Sequence, residues 1–173
     1  EDGEEIPYSK QQQRLIKSEP RDQRIKGVVG SGKTTVMAAR AVNAHLRTND
    51  KVLLLCYNIT LKNYIHDKIS KVREEFAWEN FYITNYHNFI TTEMNNNGIE
   101  FVIPKGFSEW TSERKSKYFE DNYYGNEKLF EDNKSKFRKY KTILIDEIQD
   151  YKRPWMNVIK NCFLEEGGEY VLM

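Results

Sequence analysis

The chain has 173 residues, of which 39% are hydrophobic and 31% charged, and its 27 basic and 26 acidic side chains leave a net charge of +1. This composition suits a soluble globular protein with its own core and excludes a fully disordered one. So even a balance leaves any nucleic-acid contact to a local basic patch.

Cys56 and Cys162 show no metal-site spacing and are too few for a disulfide framework, so reduced thiols in a cytoplasmic protein are expected. No apolar run is long enough to span a bilayer, and the acidic start of the chain lacks a signal-peptide layout, so no membrane partner is expected.

Residues 25–29 form a short β-prone run that ends in a glycine-rich turn. Residues 34–47 lack Gly and Pro and are rich in Ala, Val, Met and Arg, which predicts a helix. The continuous apolar run Val52-Leu53-Leu54-Leu55-Cys56-Tyr57 reads as a strand buried on both faces, as in a parallel sheet. Asn58 and Thr60 are placed to cap a helix whose apolar positions Leu61, Ile65, Ile69, Val72 and Phe76 recur at helical spacing. Phe81–Thr84 is a further short strand.

Asn95-Asn96-Asn97 before Gly98 reads as a loop. Residues 93–140 are charged and aromatic and contain two helical-looking stretches. The strand Thr142–Ile145 then ends in Asp146-Glu147. Pro154 suits the first residue of a helix carrying Trp155, Val158, Ile159, Cys162 and Phe163. Gly167-Gly168 turns the chain into a last strand, Tyr170–Met173, and the protein is expected to continue beyond it. Strands alternating with helices predict an α/β fold, a parallel sheet flanked by helices on both faces.

Gly27-Val28-Val29-Gly30-Ser31-Gly32-Lys33-Thr34 fits G-x-x-x-x-G-K-[ST] at every fixed position. Triphosphate binding needs backbone N–H groups converging on phosphate oxygens, and Gly30 and Gly32 let the loop curl without Cβ clashes. The following helix points its positive end at the phosphates. The Lys33 ammonium reaches the β- and γ-phosphates, and the Thr34 hydroxyl is a ligand for Mg²⁺. The expected ligands are therefore ATP and Mg²⁺, bound through Gly27, Gly30, Ser31, Gly32, Lys33 and Thr34. A chance glycine turn is the alternative, and the strand before and helix after it weigh against that.

Asp146-Glu147 supplies the complementary half. In P-loop enzymes an Asp at the end of a neighbouring strand holds the metal, and a second carboxylate deprotonates the attacking water. This assigns Asp146 to Mg²⁺ and Glu147 to general-base catalysis, with Gln149 able to hydrogen-bond the water or the γ-phosphate. Alone, two acids after a strand read equally well as a solvated loop.

At this point the residues resemble a family: the N-terminal RecA-like domain of superfamily 1 helicases of the UvrD/Rep type. Residues 9–16, Ser-Lys-Gln-Gln-Gln-Arg-Leu-Ile, look like its upstream glutamine motif, whose Gln reads adenine. Gln12 aligns best, with Gln11 and Gln13 beside it. Residues 27–35 match motif I, which adds Thr35 to the nucleotide-binding set. Residues 54–61 are similar to motif Ia, where the family more often has Thr-Phe-Thr-Asn. Residues 83–89 are similar to motif Ib. Ile145-Asp146-Glu147-Ile148-Gln149-Asp150 is similar to motif II, with Ile148 where Ala is common.

The resemblance covers residues 9–92 and 141–173. It implies a RecA-like ATP-binding domain over 1–92 and 141–173, interrupted by a short inserted helical subdomain over 93–140. It also implies ATP-driven translocation along single-stranded DNA (or RNA), together with a second RecA-like domain that brings an arginine finger. The chain alone is accordingly expected to be a weak or inactive hydrolase. The family's strand contacts would fall on Asn58, Thr60, Thr84, Tyr86 and His87. Core packing is the alternative for Tyr86 and is preferred for Phe89, and a structural histidine is the alternative for His87. The aromatic run Tyr118–Tyr124 reads as helix packing and the basic run Lys134–Lys141 as a solvated face. Two other function classes remain open: a P-loop phosphotransferase, which would need an arginine-bearing lid, and a nucleotide-dependent switch module.

Overall fold

In a computed structural model of the chain, residues 8–26, 32–71 and 78–173 are described. The elements in order are α1 (Lys10–Leu15), β1 (Asp22–Arg24), α2 (Gly32–Thr48), β2 (Val52–Leu55), α3 (Ile59–Ser70), β3 (Phe81–Thr84), α4 (Tyr86–Asn96), α5 (Ser112–Phe119), α6 (Glu127–Asp132), β4 (Tyr140–Ile145), α7 (Arg153–Cys162) and β5 (Leu164–Leu172). The five strands form one sheet in the order β1-β5-β4-β2-β3. Every pairing is parallel. The protein is thus an α/β protein with an all-parallel sheet flanked by helices. No helix among the described residues is long and apolar enough to cross a membrane.

The chain divides into two compact units. The first comprises residues 1–85, 139–150 and 164–173, and the second residues 86–138 and 151–163.

In the first unit, the apolar run of β2 occupies an interior position between β3 and β4, with all four residues fully buried. Alternate residues face opposite ways. Leu54, Leu144 and Val171 join Met37, Ala41 and Ala44 of α2 and Ile65 and Ile69 of α3 in one core. Leu53, Leu55, Ile143 and Ile145 on the opposite face are fully buried as well. Burial on both faces is why these strands read as continuous hydrophobic runs rather than alternating ones.

The first strand lies at Asp22–Arg24, upstream of the run expected at 25–29, of which 27–29 lie outside the described residues. β1 pairs only with β5, and an edge position tolerates its exposed Asp22 and Arg24. The Ile25 amide still donates to the Leu172 carbonyl at 2.8 Å, extending the ladder by one bond.

β5 also starts earlier than expected. The glycine pair lies inside the strand, where the register against β4 is irregular: Tyr140 pairs with Leu164 and Thr142 with Glu169. Gly167 takes φ +72, and a Cβ at Gly168 would lie 2.9 Å from the Lys141 carbonyl oxygen.

The segment Asn95–Asn97 is a helix end rather than a loop. α4 runs to Asn96, the Asn97 amide donates to the Glu93 carbonyl at 3.2 Å, and Gly98 closes the helix with φ +70.

Four helices, α4 to α7, build the second unit. Phe163 lies 4.8 Å from Phe89 and 4.7 Å from Phe137, ring centre to ring centre. A π-helical turn, Glu120–Tyr124, continues α5. The stretch around Val102 pairs with no strand among the described residues. Its amide donates to the Tyr123 hydroxyl at 2.6 Å and its carbonyl accepts from the Tyr118 hydroxyl. The aromatic run Tyr118–Tyr124 therefore serves helix packing and backbone satisfaction, as its pattern predicts.

A buried ion pair ties the first unit together. Arg40 on α2 and Glu169 on β5 are both fully buried, with Nε 3.3 Å from Oε1. Arg40 Nη1 also donates to the Leu15 carbonyl and to Gln23 Oε1, each at 2.8 Å. The Ser18 hydroxyl donates to Glu169, and Asn43 on α2 donates to the Ile16 carbonyl at 2.8 Å.

Removing one partner of such a pair strands the other charge in the interior. Glu169→Ala should therefore lower stability by about 3–5 kcal/mol in urea unfolding. A loss below about 1 kcal/mol would mean that the pair is as replaceable as a surface one.

Candidate nucleotide site

A parallel sheet presents all its strand ends of one polarity on one edge, and ligands of such sheets sit outside the carboxyl ends. Most candidate residues of the first unit fall on that edge: Lys33 and Thr34 at the start of α2, Asn58 and Thr60 after β2, Thr84 at the end of β3, and Asp146, Glu147 and Gln149 after β4. Gly27, Gly30 and Ser31 lie outside the described residues.

Lys33 and Asp146 come together, with Nζ 3.4 Å from Oδ1. The strand that leads into the loop and the carboxylate strand are not neighbours, as the sequence reading supposed, because β5 lies between β1 and β4. Lys33 stands on α2 rather than on that strand, and the contact is made between the start of α2 and the end of β4. Asp146 is 1% exposed, and among the described residues its Oδ1 accepts no hydrogen bond. Burial pushes its carboxyl above the usual aspartate range, and the Lys33 charge opposes that rise. Thr34 is buried at the start of α2.

One buried, under-satisfied carboxylate oxygen and one hydroxyl suit a hard cation such as Mg²⁺, which takes few protein ligands and keeps phosphate oxygens and waters as the rest. No group of three His, Cys, Asp or Glu able to hold a metal occurs among the described residues.

Glu147 takes φ +55, a left-handed conformation rare for a residue with a side chain. Its neighbours explain why. The Asp146 amide donates to Leu55 on one side of β4, and the Ile148 amide donates to Met173 on the other, both at 2.9 Å. The chain must reverse between these two anchors, and Glu147 absorbs the reversal. Its carboxylate is half-exposed and accepts a hydrogen bond from the Gln149 carboxamide.

Beside Lys33 lies a cleft of about 250 Å³, bounded by the run Arg24-Ile25-Lys26 together with Lys33, Ile148, Gln149 and Met173. Arg24 and Lys26 were missed in the sequence. Their spacing on either side of the apolar Ile25, just ahead of the glycine loop, was the signal that they share a face. A larger recess, about 430 Å³, belongs to the second unit and is lined by Glu127, Glu131, Asp132, Cys162 and their neighbours. None of the candidate site residues borders it, so chemistry rather than size selects the cleft beside Lys33.

The other candidates divide. Gln12 turns back on its own helix: its Oε1 accepts from the Ser9 amide at 2.9 Å, and its amide donates to the Ser9 hydroxyl at 3.1 Å. Gln13 donates to the Tyr8 carbonyl at 3.3 Å, while Gln11 is exposed. Thr35 is half-buried on α2. Asn58 caps α3 as expected, accepting from the Thr60 amide at 2.8 Å, and both residues are exposed. Tyr57, expected at the end of the buried strand run, lies beyond β2 and is exposed, as is Ile59 on the other side of Asn58. The neighbouring Cys56 is buried, and burial with the nearby Asp146 charge pushes its thiol up to about 12, so it stays protonated and unreactive.

Two strand-contact candidates need correcting. Thr84 is 5% exposed and Tyr86 2% exposed, so neither presents a side chain to a base or phosphate. Tyr86 stacks on Trp155 at 4.8 Å between ring centres and donates its hydroxyl to the Tyr124 carbonyl at 2.6 Å. Core packing, the alternative weighed for Tyr86, is what the ring does. His87 is exposed on one side while its ring meets Tyr124 and Trp155 edge-on, and partial burial holds its imidazole below the ordinary value.

Compared with known proteins, the chain matches no protein-family model and no curated protein.

Tyr86→Ala should cost about 3–5 kcal/mol of stability, the usual penalty for emptying an aromatic core position. Chemical denaturation measures it. A variant as stable as the wild type would return Tyr86 to the pool of surface contacts.

Proposed function

We propose that this chain is the ATP-binding RecA-like portion of a superfamily 1 helicase of the UvrD/Rep type, coupling ATP hydrolysis to movement along single-stranded DNA or RNA. The observation that carries the reading is the Lys33–Asp146 contact at the carboxyl edge of an all-parallel sheet. It joins two motifs more than a hundred residues apart in the sequence, each of which alone has a bland explanation. The order of the glutamine, phosphate-loop, Ia, Ib and carboxylate segments supports the family.

In this reading the Lys33 ammonium lies against the β- and γ-phosphates, where a point charge offsets their negative charge. Thr34 and Asp146 would hold Mg²⁺, which when bound neutralises phosphate oxygens. Glu147 accepts the proton of the attacking water. Gln149, now bonded to Glu147, is within reach of the same water and shifts its hydrogen bond when the γ-phosphate arrives. Closing of a second RecA-like domain supplies an arginine finger and the translocation step. Asn58, Thr60 and His87 are the strand contacts retained.

Lys33→Ala should abolish tight MgATP binding in a titration with a fluorescent nucleotide, since it removes the charge at the β- and γ-phosphates. Unchanged affinity would remove the basis of the nucleotide site. Glu147→Gln should leave MgATP affinity intact and slow strand-stimulated hydrolysis in the longer protein by ~10²–10⁴, the usual value of a general base. Turnover at the wild-type rate would exclude Glu147 from that role. Stimulation of hydrolysis by single strands separates a helicase motor from a phosphotransferase or a switch, neither of which requires it.

A further inference from the structure

The cleft beside Lys33 carries more positive charge than the phosphate loop alone accounts for. Gln23 of the first strand accepts from Arg40 on α2 at 2.8 Å, and Ile25, just after the strand, packs in the core with Val36 and Met37. Arg24 and Lys26, on either side of Ile25, are both exposed and both border the cleft. Among the described residues no carboxylate forms an ion pair with either of them, whereas the Lys33 charge is already engaged by Asp146 at 3.4 Å. The cleft therefore offers surplus positive charge, and an anion is the ligand that suits it.

We propose that Arg24, with Lys26 beside it, contacts the terminal phosphate of a bound nucleoside triphosphate, so that this chain itself distinguishes a triphosphate from a diphosphate. The inference rests on the nucleotide site proposed above. Two features place Arg24 at the γ-phosphate end. Gln149, the neighbour and hydrogen-bond partner of the water-activating Glu147, lines the same cleft. The volume, about 250 Å³, also falls below the roughly 300–1,000 Å³ usual for whole small-molecule ligands, as a compartment for the phosphate end should. A guanidinium is suited to the task because its fork donates two parallel hydrogen bonds to phosphate oxygens. Arg24 is held in place by the ladder of β1, paired in register with Leu172.

The test is calorimetric titration of the 173-residue chain and its Arg24→Ala and Arg24→Lys variants with MgATP and with MgADP, together with a thermal melt of each apo protein. Arg24→Ala should weaken MgATP by about tenfold or more, the value of one charged hydrogen bond. It should change MgADP by less than about twofold and leave the melt in place, because the side chain is exposed. Arg24→Lys, which keeps the charge but loses the fork, should fall between. Equal losses for both nucleotides, or no loss for either, would overturn the role of Arg24 while leaving the nucleotide site standing. So would a lowered melt with an unchanged ratio of the two affinities. A wild-type chain that binds neither nucleotide, with Lys33→Ala no different from it, would overturn the site and the inference together.

Discussion

The buried Arg40–Glu169 pair is the constraint around which the first unit is arranged. Neither charge is tolerable in the interior without the other, so α2 and β5 must meet at this point, at full burial. The same guanidinium holds the end of α1 through the Leu15 carbonyl and the edge strand β1 through Gln23. Four elements are thereby fixed to one side chain. Lys33 lies about two turns up α2 from Arg40. The pair therefore also sets where the N-terminal end of α2, with Lys33, is aimed. The small residues Ala38, Ala41 and Ala44 complete the arrangement by letting α2 pack closely within the core.

Parallel pairing then does for the chemistry what the ion pair does for the packing. It delivers the ends of β1, β2, β4 and β5 to one edge, where hydrogen bonds from neighbouring strands hold the carboxylate segment. Asp146 is tied to β2, and Ile148 to the residue after β5. Glu147 between them sits in a left-handed conformation that costs on the order of 1–3 kcal/mol. Strain of this kind persists only where surrounding bonds over-determine it, and here both adjacent amides are anchored. The low-dielectric surroundings raise the carboxyl of Asp146 and the thiol of Cys56 alike. A positive charge at this edge is thus worth more than it would be in water.

The second unit solves a different problem. Its helices are short, and the stretch around Val102 pairs with no strand among the described residues. Tyrosine hydroxyls satisfy that backbone instead. Trp155 follows the same economy, stacking on Tyr86 while its indole N–H donates to Glu120 at 2.8 Å. Aromatic side chains with a polar tip fill space and close a hydrogen bond at once, which accounts for so many of them between Phe101 and Tyr124.

The sequence by itself determined the alternation of strands and helices, because a strand buried on both faces must be apolar throughout and β2 and β4 are. It determined the Asn58 cap, a local hydrogen bond between residues two apart. It also singled out Lys33 and Asp146, which meet at the carboxyl edge of the sheet. Tertiary structure alone decided the strand order, with β5 between β1 and β4, because pairing partners are chosen by non-local contacts that no local pattern encodes. It decided that β5 starts at Leu164, ahead of Gly167-Gly168, because that start is set by pairing with Tyr140 across the sheet. It turned Tyr86 inward, since an aromatic after a strand reads the same whether it meets a base or a tryptophan. It paired Arg40 with Glu169, a contact across 129 residues. And it set Arg24 beside Lys33, because the cleft they share exists only once the edge strand and α2 have folded onto the same sheet.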